Sequence, residues 1–179
     1  MCFRLLFFCL ATLLMAISTI WGEGYQRVMR EATIELNGTS QTVLALLDPV
    51  GESKWADGWE IRRIYPAEGT PEKGFIFATT GEEGVETVWM ISDLNRTNGT
   101  ICYLLVTPES KLGQIDISLE RASRQTTRAK VRYIYTALTP EGNKFVDSFT
   151  EEKFKQKMHL WQAAINHYLQ TGRLFRHQD

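Results

Sequence analysis

Two periodicities divide the chain. Between Trp59 and Leu138 apolar and polar side chains alternate at a period of two, and between Phe154 and Leu169 apolar side chains recur every three or four positions. The first pattern predicts a series of half-buried strands and the second one amphipathic helix. An earlier alternating stretch, Glu31 to Leu36, predicts a strand that ends at Asn37-Gly38. Thr39 or Ser40 can then cap a short helix through Leu47. Asp48-Pro49 predicts a second helical turn to about Trp55, closed by Gly58, because proline is tolerated at the first helical position. Strands are expected at Trp59 to Tyr65, Gly74 to Thr80, Val85 to Ser92, Thr100 to Thr107, Gln114 to Arg121 and Thr127 to Leu138. Gly81-Glu82-Glu83-Gly84, Asp93 to Asn98 and Pro140-Glu141-Gly142-Asn143 read as turns, the last ending the sheet. Thr150 before Glu151-Glu152 predicts the start of a helix that runs to Thr171 and stops at Gly172. The expected fold is α+β: a curved antiparallel sheet of about six or seven strands around a long C-terminal helix, with two short helices after the first strand.

The N-terminus follows a different pattern. Arg4 precedes an apolar run from Leu5 to Ile17 broken only by Thr12, and Ala16-Ile17-Ser18 has the small-x-small form of a cleavage site. These features predict a signal peptide over residues 1–18, a linker over 19–29, one domain over 30–172 and a tail over 173–179. The expected location is secreted or periplasmic. The alternative is an uncleaved anchor, since the 17 residues from Leu5 to Trp21 reach the lower limit for crossing a bilayer. Membrane contact is expected only through this segment.

Charge excludes more than it assigns. The chain has 20 Lys and Arg against 21 Asp and Glu, a formal net charge of −1, so no basic footprint for nucleic acid is visible. Arg121, Arg124, Arg128, Lys130 and Arg132 cluster locally and read as a solvated strand edge or, alternatively, an anion or membrane contact. Of the three cysteines, Cys2 and Cys9 lie in the apolar N-terminal segment. Cys102 lies in an apolar strand and reads as a packed, inert thiol. Asn37, Asn95 and Asn98 begin N-x-[ST] sequons and also suit turns.

No phosphate-binding glycine loop, dinucleotide turn or nucleophile elbow is present. His159 and His167 stand roughly 12 Å apart along a helix, too far to share one metal, and neither a metal nor another cofactor is expected. Glu52 and Asp57 flank Trp55 and could form a carboxylate pair for acid/base work. Asp48, Glu52 and Asp57 could equally cap and turn the short helices, which is the favoured reading. The tryptophans and tyrosines carry an apolar body and one polar tip, which suits a pocket wall as well as a core.

Two strings carry a resemblance. Leu46-Leu47-Asp48-Pro49-Val50-Gly51-Glu52 followed by Trp55 and Gly58-Trp59, and Tyr133-Ile134-Tyr135-Thr136-Ala137-Leu138-Thr139-Pro140-Glu141-Gly142-Asn143, resemble the two-helix entry and the last strand and turn of one bacterial branch. That branch is the polyketide cyclase/dehydrase-like part of the START and birch-pollen-allergen (SRPBCC) superfamily, with the helix-grip fold. The resemblance spans about residues 30–172. It implies a cavity between sheet and long helix that holds apolar or amphipathic molecules, and it supplies no catalytic residue set. The expected lining is Trp89, Tyr103, Tyr133, Tyr135, Met158 and Trp161. The expected function is extracytoplasmic binding of a lipid-like small molecule. A cyclase/dehydrase-like acid/base enzyme in the same cavity is the alternative. A module resembling the heat-shock-protein ATPase activators is a third reading, disfavoured by the N-terminal segment. A buried, proton-shifted carboxylate in the cavity would favour the enzyme, and a purely aromatic and aliphatic lining the binder.

Overall fold

A computed structural model describes residues 24–81 and 84–176. The signal peptide and residues 19–23 of the linker expected from the sequence lie outside these residues. Seven strands form one antiparallel sheet: β1 (Arg27–Leu36), β2 (Arg62–Tyr65), β3 (Ile76–Thr80), β4 (Glu86–Asn95), β5 (Thr100–Thr107), β6 (Lys111–Arg121) and β7 (Thr127–Ala137). Their spatial order is β1-β7-β6-β5-β4-β3-β2. Every neighbour is a sequence neighbour except β1, which returns to pair with β7 from Arg27↔Thr136 to Leu36↔Thr127. Helix α1 (Ser40–Leu46) follows β1, α2 (Pro140–Ser148) follows β7, and α3 (Glu151–Thr171) ends the fold.

The alternation read from the sequence decides which face is inside. Ala129, Val131, Tyr133 and Tyr135 of β7, Ile115 and Ile117 of β6, and Ile101, Tyr103 and Leu105 of β5 are all buried, while the residues between them are not. Helix α3 closes this inner face with Phe154, Met158 and Ile165, each at most 2% exposed. Its caps are those expected: the Thr150 hydroxyl accepts from the Lys153 N–H, and Gly172 takes the left-handed conformation at φ 66°. Two amides fix the helix against the end of edge strand β1. Gln162 Oε1 accepts from the Glu35 N–H at 3.1 Å, and Asn166 bridges the Asn37 N–H (2.8 Å) and the Glu35 carbonyl (3.0 Å). They also satisfy backbone groups that an open sheet edge would leave unpaired.

Several boundaries move. β1 starts at Arg27, inside the expected linker, and the second short helix is one 3₁₀ turn, Glu52–Lys54. Asp48 builds that region as a turn former, its Oδ1 accepting from the Val50 and Gly51 N–H groups at 3.0 and 2.7 Å. β2 starts at Arg62, so Trp59 precedes the strand, and β3 starts at Ile76. β4 continues through Asp93 to Asn95, where a turn was expected. The register shifts between Ile91 and Asp93. A bulge adds one residue and breaks the period-two pattern, so Leu94 pairs with inward Ile101. β6 begins three residues earlier than expected, at Lys111.

The largest difference is α2, read from the sequence as a turn. Thr139 caps it by accepting from the Gly142 N–H at 3.0 Å, and Pro140 occupies its first turn. Gly142 is required there, because a Cβ would collide with the Ser110 carbonyl oxygen. The basic cluster lies along the β6–β7 hairpin, and its strand is interior, not an edge. Its charges are largely matched: Arg128 with Glu35 (3.1 Å), Lys130 with Glu31 (2.9 Å) and Arg132 with Asp116 (2.6 Å).

Candidate functional site

Between the inner face of the sheet, the 3₁₀ turn, α2 and α3 lies a cavity of about 440 Å³. Its wall is mostly aromatic. Phe77 and Trp89 stack with ring centroids 5.7 Å apart, and Trp59 and Tyr103 meet Trp89 edge-on at 6.0 and 6.3 Å. On the opposite side Tyr133 and Tyr135 meet at 5.7 Å, Tyr135 packs on Phe149 at 4.9 Å, and Trp161 stands edge-on to Trp55 at 5.3 Å. Edge-on and offset pairs of this kind suit the ring quadrupole and fix ring orientation. Gly113 shapes the wall from β6: a Cβ there would press on Leu105 and on the Tyr135 ring at 2.7 and 2.8 Å. Its missing side chain is what allows Tyr135 to lie against the sheet.

Five of the six residues expected at the wall are on it: Trp89, Tyr103, Tyr133, Tyr135 and Trp161. Met158 is not. It is 2% exposed and packs into the core beneath α3, because its helical position points between sheet and helix, away from the opening. Some polar tips are already used. Trp89 Nε1 donates to Thr79 Oγ1 at 2.9 Å, and the Tyr103 hydroxyl donates to the Leu47 carbonyl at 2.7 Å. Trp55 and Trp59 donate to the Leu46 and Pro49 carbonyls at 2.7 and 2.8 Å, which anchors the 3₁₀ region over the cavity. Tyr133 and Tyr135 make no hydrogen bond through their hydroxyls among the described residues.

Three charged residues also line the wall: Glu52, Lys111 and Lys157. Glu52 is 7% exposed, and burial raises its carboxyl from 4.5 to about 8, against the opposing pull of Lys157. Lys157 is held below the ordinary lysine range by burial, with Glu52 opposing and Lys111 adding to the shift. Burial likewise lowers Lys111. Tyr103 and Tyr133 are raised well above the ordinary phenol value, mainly by burial, and so stay protonated. The carboxylate pair considered in the sequence does not form. Asp57 is exposed and outside the cavity, and Glu52 faces Lys157 instead.

The sequence reading missed both lysines, Phe145 and Phe149. Phe145 and Phe149 belong to the unrecognised helix and its cap, and a Phe145-Val146-Phe149 spacing was the available signal. Lys157 occupies the α3 face of Phe154 and Trp161 at three- and four-residue spacing, where a lysine normally reads as solvated. Lys111 precedes the expected start of β6. Cys102 is half-buried on the outer face and not in the core. Its thiol donates to Asp116 Oδ1 at 3.0 Å, and burial, with Asp116, raises it to about 11.

This architecture recurs in solved structures. A norcoclaurine synthase from Thalictrum flavum, solved in complex with dopamine and hydroxybenzaldehyde, superposes with a TM-score of 0.61 at 11% identity, covering 82% of this chain and 88% of that one. The Zhui aromatase/cyclase from Streptomyces sp. R1128 gives 0.62 at 12% identity, covering 82% and 98%. Ara h 8.0201 gives 0.60 at 17% identity, covering 82% and 99%. The chain has the helix-grip fold of the START and birch-pollen-allergen superfamily. No family model matches the sequence, and no curated protein matches it. In this helix-grip domain the cavity lies where the sheet grips α3. Among the described residues no helix is long and apolar enough to cross a membrane.

Proposed function

We propose that the helix-grip domain binds an apolar or amphipathic small molecule noncovalently, outside the cytoplasm. The cavity carries the reading: about 440 Å³ of space inside a ring of tryptophan, tyrosine and phenylalanine, with two tyrosine hydroxyls unpartnered. Small-molecule sites have this size, this aromatic lining and few polar groups. The norcoclaurine synthase complex with dopamine and hydroxybenzaldehyde supports an aromatic occupant by analogy. Arg4, the apolar run and Ala16-Ile17-Ser18 support export. Titration of tryptophan fluorescence with fatty acids, isoprenoids and aromatic polyketides tests binding, because four tryptophans line the cavity. Mass spectrometry of material extracted from the native protein tests it independently. No binding in the panel together with no co-purifying molecule would remove the proposal. Fractionation with N-terminal sequencing tests export, and a full-length cytoplasmic product would refute that part.

One observation favours a second reading, acid/base catalysis on the bound molecule. Glu52 is a buried carboxyl protonated at neutral pH and set at the cavity wall. Such a group can donate a proton to a substrate oxygen, and carboxyls tuned upward by burial are common in this role. Under this reading Glu52→Gln binds ligand as wild type does and converts none of it, as measured by chromatography of incubated aromatic polyketides. Equal conversion by both proteins would exclude Glu52 as the acid.

A further inference from the structure

Positive charge in the cavity is not balanced there. Lys111 enters from β6 and places its Nζ 3.8 Å from the Phe145 ring centroid and 5.9 Å from that of Tyr135. Lys157 enters from α3 and places its Nζ 4.7 Å from the Tyr133 centroid and 5.8 Å from that of Trp161. The two ammonium groups thus flank the Tyr133–Tyr135 pair, whose rings are 5.7 Å apart. Neither is in an ion pair among the described residues. Elsewhere in the same fold Lys73, Lys130, Lys144 and Lys155 each meet a carboxylate within 4 Å. The faces of aromatic rings attract cations, but they replace neither a counter-ion nor lost hydration.

The neighbouring acids do not supply the missing charge. Glu52 is the acid on the wall, and its carboxyl holds its proton to about pH 8. Asp48 acts on Glu52 and Tyr103, is not on the cavity wall, and pairs with neither lysine; its Oδ1 accepts from the Val50 and Gly51 N–H groups. Tyr103, Tyr133 and Tyr135 are all held protonated by burial. Burial lowers both lysines, and Lys111 adds to the shift of Lys157; when both carry their protons, the cavity presents two like charges in an otherwise neutral aromatic chamber. An anion placed there would be attracted by both ammonium groups and relieve their mutual repulsion.

We propose that the molecule bound in this cavity is an organic acid, an aromatic or amphipathic body whose carboxylate is held between Lys111 and Lys157. The proposal rests on the binding reading above and adds the chemical class of the ligand. The Tyr133 and Tyr135 rings carry the two lysines, and their hydroxyls, unpartnered among the described residues, are free to add donors to the carboxylate. The remainder of the ligand lies toward Trp59, Phe77 and Trp89, whose rings pack on one another along the wall.

The test compares anthracene-9-carboxylate with anthracene-9-methanol, one ring system with and without the charge, by fluorescence titration at neutral pH. Wild type is expected to bind the carboxylate at least about tenfold more tightly than the alcohol, as a charge-assisted contact would give. Lys157→Met and Lys111→Met should each lower that preference, and the double variant should abolish it. Lys153→Met, an exposed lysine on the same helix, should leave it unchanged. Circular dichroism checks each variant, and Lys157→Gln replaces Lys157→Met if the latter does not fold. Equal binding of both compounds by wild type, or a preference that survives in the double variant, would overturn the proposal while leaving the binding reading intact. Failure of both compounds, and of the wider panel, to bind wild type would remove both.

Discussion

Replacing Glu52 with Gln isolates the least ordinary group in the cavity. In the folded protein the Glu52 carboxyl titrates at about 8, against 4.5 ordinarily, because burial disfavours its charged form. The folded state therefore holds this proton more tightly than the unfolded chain does. Its stabilising effect is complete below about pH 4.5 and is lost as pH rises toward 8. Integrating one such site from about pH 5 to about pH 7.5 gives a loss of about 3 kcal/mol. A glutamine has nearly the shape of the protonated acid and does not titrate. Lys111, Lys157 and the tyrosines are retained in both proteins, and folded Glu52 stays mostly neutral over this range, so their contributions largely cancel in the difference. Urea unfolding of both proteins at the two pH values reads this out. The variant should gain about 3 kcal/mol relative to wild type on going from about pH 5 to about pH 7.5. A change in that difference below about 1 kcal/mol would show that the carboxyl is hydrated when folded, and the acid-catalysis reading would lose its support.

The other expectations concern packing, hydrogen bonds and the thiol. Phe154, fully buried beneath Tyr133 and Phe149, should cost about 3–5 kcal/mol in denaturant unfolding when replaced by Ala. Half-buried Trp161 borders the cavity, so Trp161→Ala should cost less stability and weaken ligand binding more; the reverse order would make Trp161 a core residue. Tyr103→Phe leaves the buried Leu47 carbonyl without its donor and should cost about 1–3 kcal/mol. Tyr133→Phe removes no hydrogen bond within the protein and should unfold within about 0.5 kcal/mol of wild type. Cys102, with its thiol raised to about 11, should be alkylated by iodoacetamide near neutral pH roughly a hundredfold more slowly than a free cysteine, as followed by peptide mass mapping. Asp116→Asn should speed that reaction, and no acceleration would mean the hydrogen bond to Asp116 does not control the thiol.

Much of the fold was legible because strands and helices bury one face at a fixed period. β5 was placed at both ends, and α3 was placed with both caps, since Thr150 and Gly172 carry their conformational reasons in their own chemistry. Where the period is broken the reading failed. The bulge after Ile91 puts Leu94 three positions on, so the second half of β4 looked like a turn. In α2, Pro140 and Gly142 read as turn residues, although the proline fits a first helical turn and the glycine answers a tertiary need, its contact with Ser110.

The sequence by itself determined the α+β class, the inward set of the regular strands and the aromatic character of the space they enclose, because side-chain parity in an unbroken strand follows from backbone geometry alone. It could not determine which aromatic residues face empty space and which are packed. Met158 and Trp161 lie three residues apart on one helix, and only the position of α3 over the sheet sends one into the core and the other to the cavity. Nor could it bring together Glu52, Lys111 and Lys157. Each is unremarkable in its own segment, and their altered acidities arise from shared burial, which exists only once the sheet, the 3₁₀ turn and α3 have closed on one another.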